Sequence, residues 1–152
     1  MEFDNDTLKI AVKIYLEDEA KGIINYGHIN TWDVSNVTNM EGLFKNVYDF
    51  NQPLSNWNVS NVTNMSQMFA NRCCQSSIGA YFNQALDNWN VSNVTNMDRM
   101  FYGAASFNQP LNNWDVSKIK YMKHMFEHTT SFNQPLNNWN VSNVTNMSTM
   151  FN

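Results

Sequence analysis

Apolar residues recur along this chain at fixed distances from a tryptophan. In the unit that starts at Leu136 they fall at Leu136, Trp139, Val141, Val144, Met147, Met150 and Phe151. Trp139 and Val141 alternate with polar residues, which predicts a short strand with one buried face. From Val144 the apolar positions are three apart and end in an adjacent pair. That spacing predicts a short helix, with Ser142 and Thr145 suited to cap its start. Trp32, Trp57, Trp89, Trp114 and Trp139 mark five copies, separated by 25, 32, 25 and 25 residues. The longer interval contains a seven-residue insertion, since Phe69 lies 13 residues before Phe82 whereas Phe101 lies 6 before Phe107. One strand and one short helix cannot close a core, so neighbouring units must stack. The expected fold is an α/β repeat solenoid over residues 32–152, its last unit incomplete.

Ahead of the repeats, Asp6 to Lys21 places Leu8, Ile10, Ala11, Ile14, Tyr15 and Leu16 on one broad helical face. Asp6 or Thr7 is suited to cap the start of this helix, and Gly22 to end it. Residues 1–31 thus read as a capping helix and lead-in that cover the open side of the first unit. At the other end the sequence stops at Phe151-Asn152, ahead of the FNQPL segment that closes the preceding units. Met147, Met150 and Phe151 then have no successor to cover them, which makes this end a candidate for self-association.

The unit W-[ND]-V-S-N-V-T-N-M-x-x-M-F followed by FNQPL, as in WNVSNVTNMSQMF from Trp57 and WNVSNVTNMDRMF from Trp89, resembles the BspA-like leucine-rich repeat family. That family is also known as the Mycoplasma-type 25-residue surface-protein repeat, DUF285. The resemblance covers about Trp32 to Asn152 and implies a leucine-rich-repeat-like architecture. It further implies a surface or adhesion role in bacterial members, and it carries no catalytic residues with it.

Composition supports a folded body. Hydrophobic residues make up 43% of the chain and charged residues 14%, so apolar surface is ample and disorder is not expected. Asparagine occurs 27 times, nearly always at matching places in the repeat, which is positional and not low-complexity usage. A formal charge of −4 argues against a general nucleic-acid or anionic-membrane surface. No apolar run is long enough for a membrane span. The start MEFDNDTLKI lacks the basic-then-apolar order of an export signal, so the chain reads as cytoplasmic by default. The neighbouring Cys73 and Cys74 read as reduced, unliganded thiols. His124 and His128 are four apart with Glu127 between them, which is too little for a metal site, and no cofactor is expected. No nucleophile elbow, phosphate loop or Ser/His/Asp set stands out, so the chain is not expected to be an enzyme.

The expected function is protein recognition or scaffolding by the open faces of the repeats, with an unidentified protein partner; the alternative is glycan binding in adhesion. Trp and Phe rows are expected in the core. The rows Asn36, Asn61, Asn93, Asn143 and Asn39, Asn64, Asn96, Asn146 are expected to bond the backbone around them. In the leucine-rich analogy Asp33, Asn58, Asn90, Asp115 and Asn140 point to a concave face, flanked by Asn56, Asn88, Asn113 and Asn138, and are candidate partner contacts. Two departures from the repeat are candidates for individual identity. One is the insertion Asn71 to Ala80. The other is the fourth unit, where SNVTNM becomes SKIKYM and brings Lys118, Lys120, Tyr121, Lys123 and His124 into an acidic chain.

Overall fold

The computed structural model describes residues 1–72 and 80–151. Its two α-helices lie at the N-terminus, α1 (Asn5–Glu17) and α2 (Glu19–Tyr26), followed by a 3-10 turn at Ile29–Thr31. Past that turn the described residues form a stack of turn-rich coils, each laid in register on the next. The expected strand and helix in every unit are absent among the described residues; single parallel bridges join Asn39, Asn64, Asn96, Tyr121 and Asn146 in sequence instead. The α/β assignment, with its leucine-rich-repeat-like strand, is therefore incorrect.

The backbone shows why. A helix after Met40 would send the Phe44 N–H to the Met40 carbonyl, four residues back. Phe44 donates instead to Met68 of the next unit at 2.9 Å, and Met40, Gly42 and Asn46 donate likewise to Asn64, Ser66 and Ala70. This alternate-residue ladder repeats from Met65, Met97 and Met122. The residue two past each of these methionines is left-handed: Gly42, Gln67, Arg99, His124 and Thr149 have φ between 52° and 63°. A left-handed residue in the middle of the segment breaks a right-handed helix. Ser142 and Thr145 accordingly cap nothing helical: the Ser142 N–H donates to Asn140, and the Thr145 hydroxyl donates to the Lys120 carbonyl. Three-residue apolar spacing arises here from tandem turns, each bringing one side chain inward.

Identical residues stack in columns. Phe44, Phe69, Phe101, Phe126 and Phe151 form one column, with consecutive ring centroids 5.4–5.7 Å apart. Phe50, Phe82, Phe107 and Phe132 form a second column at 5.9–6.1 Å. The columns touch within each unit, at 4.0 Å for Phe69–Phe82 and 4.1 Å for Phe101–Phe107. The insertion therefore leaves the register of the stack unchanged. Each later tryptophan donates its indole N–H to a carbonyl of the unit before it: Trp57 to Ile29, Trp89 to Leu54, Trp114 to Leu86 and Trp139 to Leu111. Four of the five tryptophans are fully buried, and Trp139 is half-buried.

At the N-terminus α1 starts one residue earlier than expected, at Asn5, and its cap is neither Asp6 nor Thr7. Asp4 is its N-cap, in a capping box with Thr7 that holds the Asp4 carboxyl below its ordinary range. The single expected helix breaks at Asp18, which caps α2, so Gly22 lies inside α2 and Gly27 ends it. Leu8, Ala11, Val12 and Tyr15 are buried, whereas Ile10 is 57% exposed. Burial, reinforced by a hydrogen bond to Glu19, pushes the Tyr15 phenol up to about 12. The side chains of Phe3, Tyr15 and Tyr26 surround Trp32, with centroids 5.0–5.9 Å from it. Residues 1–5 also supply the backbone partners that a preceding unit would supply. Phe3 donates to the Asp33 carbonyl, and the Asn5 side-chain oxygen accepts from Thr38 and Asn39. In the fifth unit Val141, Met147 and Phe151 are exposed, because no described residue covers their outer side.

Candidate functional site

The polar rows of the repeat hold its units together. Asn61, Asn93 and Asn143 donate their amides to the carbonyls of Ser35, Ser60 and Ser117, one unit back, at 2.7–2.8 Å. Thr63, Thr95 and Thr145 donate their hydroxyls to Thr38, Thr63 and Lys120 carbonyls at 3.0–3.2 Å. Asn39, Asn64, Asn96 and Asn146 accept from the backbone N–H two residues on, closing a turn within the unit. These three rows lie side by side on one face and are occupied with one another.

The fourth unit breaks all three. Lys118 stands in the first Asn row, and its ammonium reaches the Asn93 side-chain oxygen at 2.7 Å. Lys120 stands in the Thr row and has no hydroxyl to donate to Thr95. Tyr121 stands in the second Asn row, so the turn bond to the Lys123 N–H is lost. Asp98 of the third unit replaces it, accepting that N–H at 2.7 Å. With the backbone satisfied this way, Tyr121 is released to solvent at 45% exposure. Buried Ile119 between the two lysines keeps both ammonium groups on the outer side. Together with Thr95, Asn143 and Thr145, the residues Lys118, Lys120 and Tyr121 line an open groove of about 630 Å³.

The other two candidates of this unit lie elsewhere. Lys123 takes part through its backbone. His124 is left-handed, and its Nδ1 contacts one Glu127 carboxylate oxygen while His128 Nε2 lies 3.6 Å from the other. His128 is left-handed too, so the two imidazoles do not share a helical face. Among the described residues no group of three or more His, Cys, Asp or Glu is arranged to hold a metal ion.

Asp33, Asn58, Asn90, Asp115 and Asn140 are exposed, as are Asn56, Asn88, Asn113 and Asn138. The strand expected to aim the first row is missing, and their geometry is that of a turn. Each accepts the backbone N–H of the serine two residues on, at 3.0–3.2 Å. Hydrogen bonds from Ser35 and Ser117, hydroxyl first and backbone second, hold the Asp33 and Asp115 carboxyls below their ordinary value. Their side chains are exposed as a repetitive row.

A second cationic groove escapes sequence reasoning. Lys45, Arg72 and Arg99, from three successive units, line a cavity of about 250 Å³ with Tyr102. They sit at different offsets in the unit, so no single row of the repeat reveals them. Cys73 and Cys74, and most of the insertion, lie outside the described residues. Among the described residues no helix is long and apolar enough to cross a membrane.

The fold and its polar rows define a tandem-repeat protein whose units are joined by side-chain and backbone ladders. The family described as "Mycoplasma protein of unknown function, DUF285" matches residues 17–79 and 77–152, and the chain belongs to that family. No curated protein and no solved structure matches it.

Proposed function

We propose that this chain is a non-enzymatic interaction module that recognises a protein partner on the open face carrying the Asn and Thr rows. The observation behind this reading is the fourth-unit groove. Elsewhere on the face the polar side chains bond to adjacent units and offer a partner little that is distinctive. Here Lys118 exchanges the bond to a backbone carbonyl for one to the Asn93 side chain, Lys120 gives up the hydroxyl bond and the turn bond at Tyr121 is rerouted through Asp98, so two cations and a phenol stand in place of the regular rows. Stacking chemistry does not require these residues, since the consensus SNVTNM at the corresponding positions completes the ladder. A shallow open groove suits a macromolecular surface better than an enclosed small substrate.

The test resets the fourth unit to its neighbours with Lys118→Asn, Ile119→Val, Lys120→Thr and Tyr121→Asn. Crosslinking in lysate of the source cells, read by mass spectrometry, is expected to recover proteins with the native chain that the reset chain loses. Identical recovery by the two chains would sink the reading.

A further inference from the structure

We infer that the fourth-unit groove receives an extended acidic peptide segment whose carboxylates recur at alternate residues; this refinement rests on the interaction-module reading above. Three observations lead to it. First, neither Lys118 nor Lys120 forms a close ion pair among the described residues: Lys118 donates to the Asn93 side-chain oxygen and feels the Asp115 carboxylate only at longer range, so both ammonium groups can still take a carboxylate partner. Second, they flank buried Ile119, so they project outward at alternate positions along the groove. Lys118 lies in the turn that the Ile119 N–H closes on the Val116 carbonyl, and Lys120 follows directly after it. An extended partner carries same-side residues roughly 6.5 Å apart, a span that two long, flexible lysine stems can match, so Glu or Asp at positions i and i+2 meets both ammonium groups. Third, the remaining groove groups suit a peptide between and beside those contacts. Tyr121 offers an exposed ring and a phenol O–H, while Asn143, Thr95 and Thr145, whose donors are held by carbonyls of the adjacent unit, wall the groove beside it. A net-negative chain repels an acidic partner over most of its surface, so the positive groove also fixes where such a segment can dock.

The test is fluorescence anisotropy with a labelled peptide of alternating Glu and Ser, at about 0.01 M and about 0.15 M ionic strength, where the Debye length is about 30 Å and about 8 Å. The native chain is expected to bind this peptide, more tightly at low salt. Binding should weaken at least about fivefold when Gln replaces Glu in the peptide, and equally when the reset chain replaces the native one. The reset chain regains the ladder consensus, so a loss of binding cannot be ascribed to misfolding when its denaturation midpoint is unchanged or higher. Lys9→Gln with Lys13→Gln removes two cations from α1 and should leave binding within about twofold.

Equal binding of the Glu and Gln peptides would overturn the acidic preference while leaving the groove a protein site. Equal binding by the native and reset chains would overturn the location. No binding of the Glu peptide, or competition for the groove by a sulfated glycan that the peptide cannot match, would also overturn this inference; loss of lysate partners on resetting would still stand in those cases.

Discussion

Trp89→Ala is the sharpest probe of the stack. The indole is 3% exposed, sits among neighbouring units, and donates its N–H to the Leu54 carbonyl at 3.0 Å. Truncation removes the apolar body of the ring and leaves a cavity, a change that costs about 3–5 kcal/mol at buried sites. It also removes one of two donors to the buried Leu54 carbonyl, which keeps the Trp57 N–H at 3.1 Å, so this bond adds about 0.5–1.5 kcal/mol. Trp89→Phe separates the two effects, since it keeps much of the ring and loses the donor; a cost of about 0.5–1.5 kcal/mol is expected from the lost bond. Trp139 makes the equivalent bond to Leu111 but is only half-buried, so Trp139→Ala should cost less than Trp89→Ala. Urea denaturation followed by far-ultraviolet circular dichroism measures all three. With a slope of about 1–3 kcal/mol/M, Trp89→Ala should lower the midpoint by at least about 1 M. A midpoint that barely moves, or an equal loss at Trp139, would refute the inward stacked assignment.

Asp98 should be coupled to Tyr121 although their side chains serve different ends. Asp98→Ala is expected to cost about 1–3 kcal/mol in the native chain and distinctly less beside Tyr121→Asn, which restores the turn acceptor for the Lys123 N–H; additive losses in the double-mutant cycle would refute this. Gln67→Gly should raise the denaturation midpoint, with a gain of up to about 1 kcal/mol, because φ of 58° strains any side chain there; a lowered midpoint would contradict the left-handed turn. Gly22→Ala should destabilise by about 1–3 kcal/mol in thermal melts, because an added Cβ meets the Tyr15 backbone at 2.7 Å, and a neutral result would disprove that close approach of the helices. The Tyr15 pKa lies above its unfolded value, so the neutral phenol stabilises the fold fully below pH 10 and this stability is lost as pH rises towards about 12. Tyr15→Phe should flatten that part of the pH–stability curve; an unchanged curve would remove Tyr15 as its cause.

The sequence displayed the units, their number, their register and their inward residues, because each core position repeats with the same chemistry. Trp57, Val59, Val62, Met65 and Phe69 are buried as their spacing implied. What it concealed was the local backbone. The three-residue spacing of Val144, Met147 and Met150 fits a helix as well as a run of turns, and only the left-handed residue between the methionines tells them apart. Where that residue is Gly42 the signal was present; where it is Gln67, Arg99 or Thr149 the side chain gave no warning. Alternation at Trp139 and Val141 misled for a related reason: at this level of the stack the link between units is an Asn side chain, not a strand ladder. Lys118, Lys120 and Tyr121 were legible as departures from a strict repeat. Their convergence, the separation of Lys123 and His124 from them, and the compensating role of Asp98 depend on which face each turn presents, and periodicity alone does not state that.

The two phenylalanine columns keep contact whether 6 or 13 residues separate their members, as at Phe101–Phe107 and Phe69–Phe82. The link between them is therefore a part of the unit whose length the stack does not measure. Such a link acts as an insertion port provided that its own bonds between units are kept, as Tyr81 keeps its bond to Tyr48 and Ser106 its bond to Ala80; between Phe126 and Phe132 the corresponding bonds run from Thr129 to Phe101 and from Ser131 to Ala105. A lineage of such chains can thus diversify its outer surface one unit at a time over an unchanged core, and an engineer can graft a binding loop at the same place.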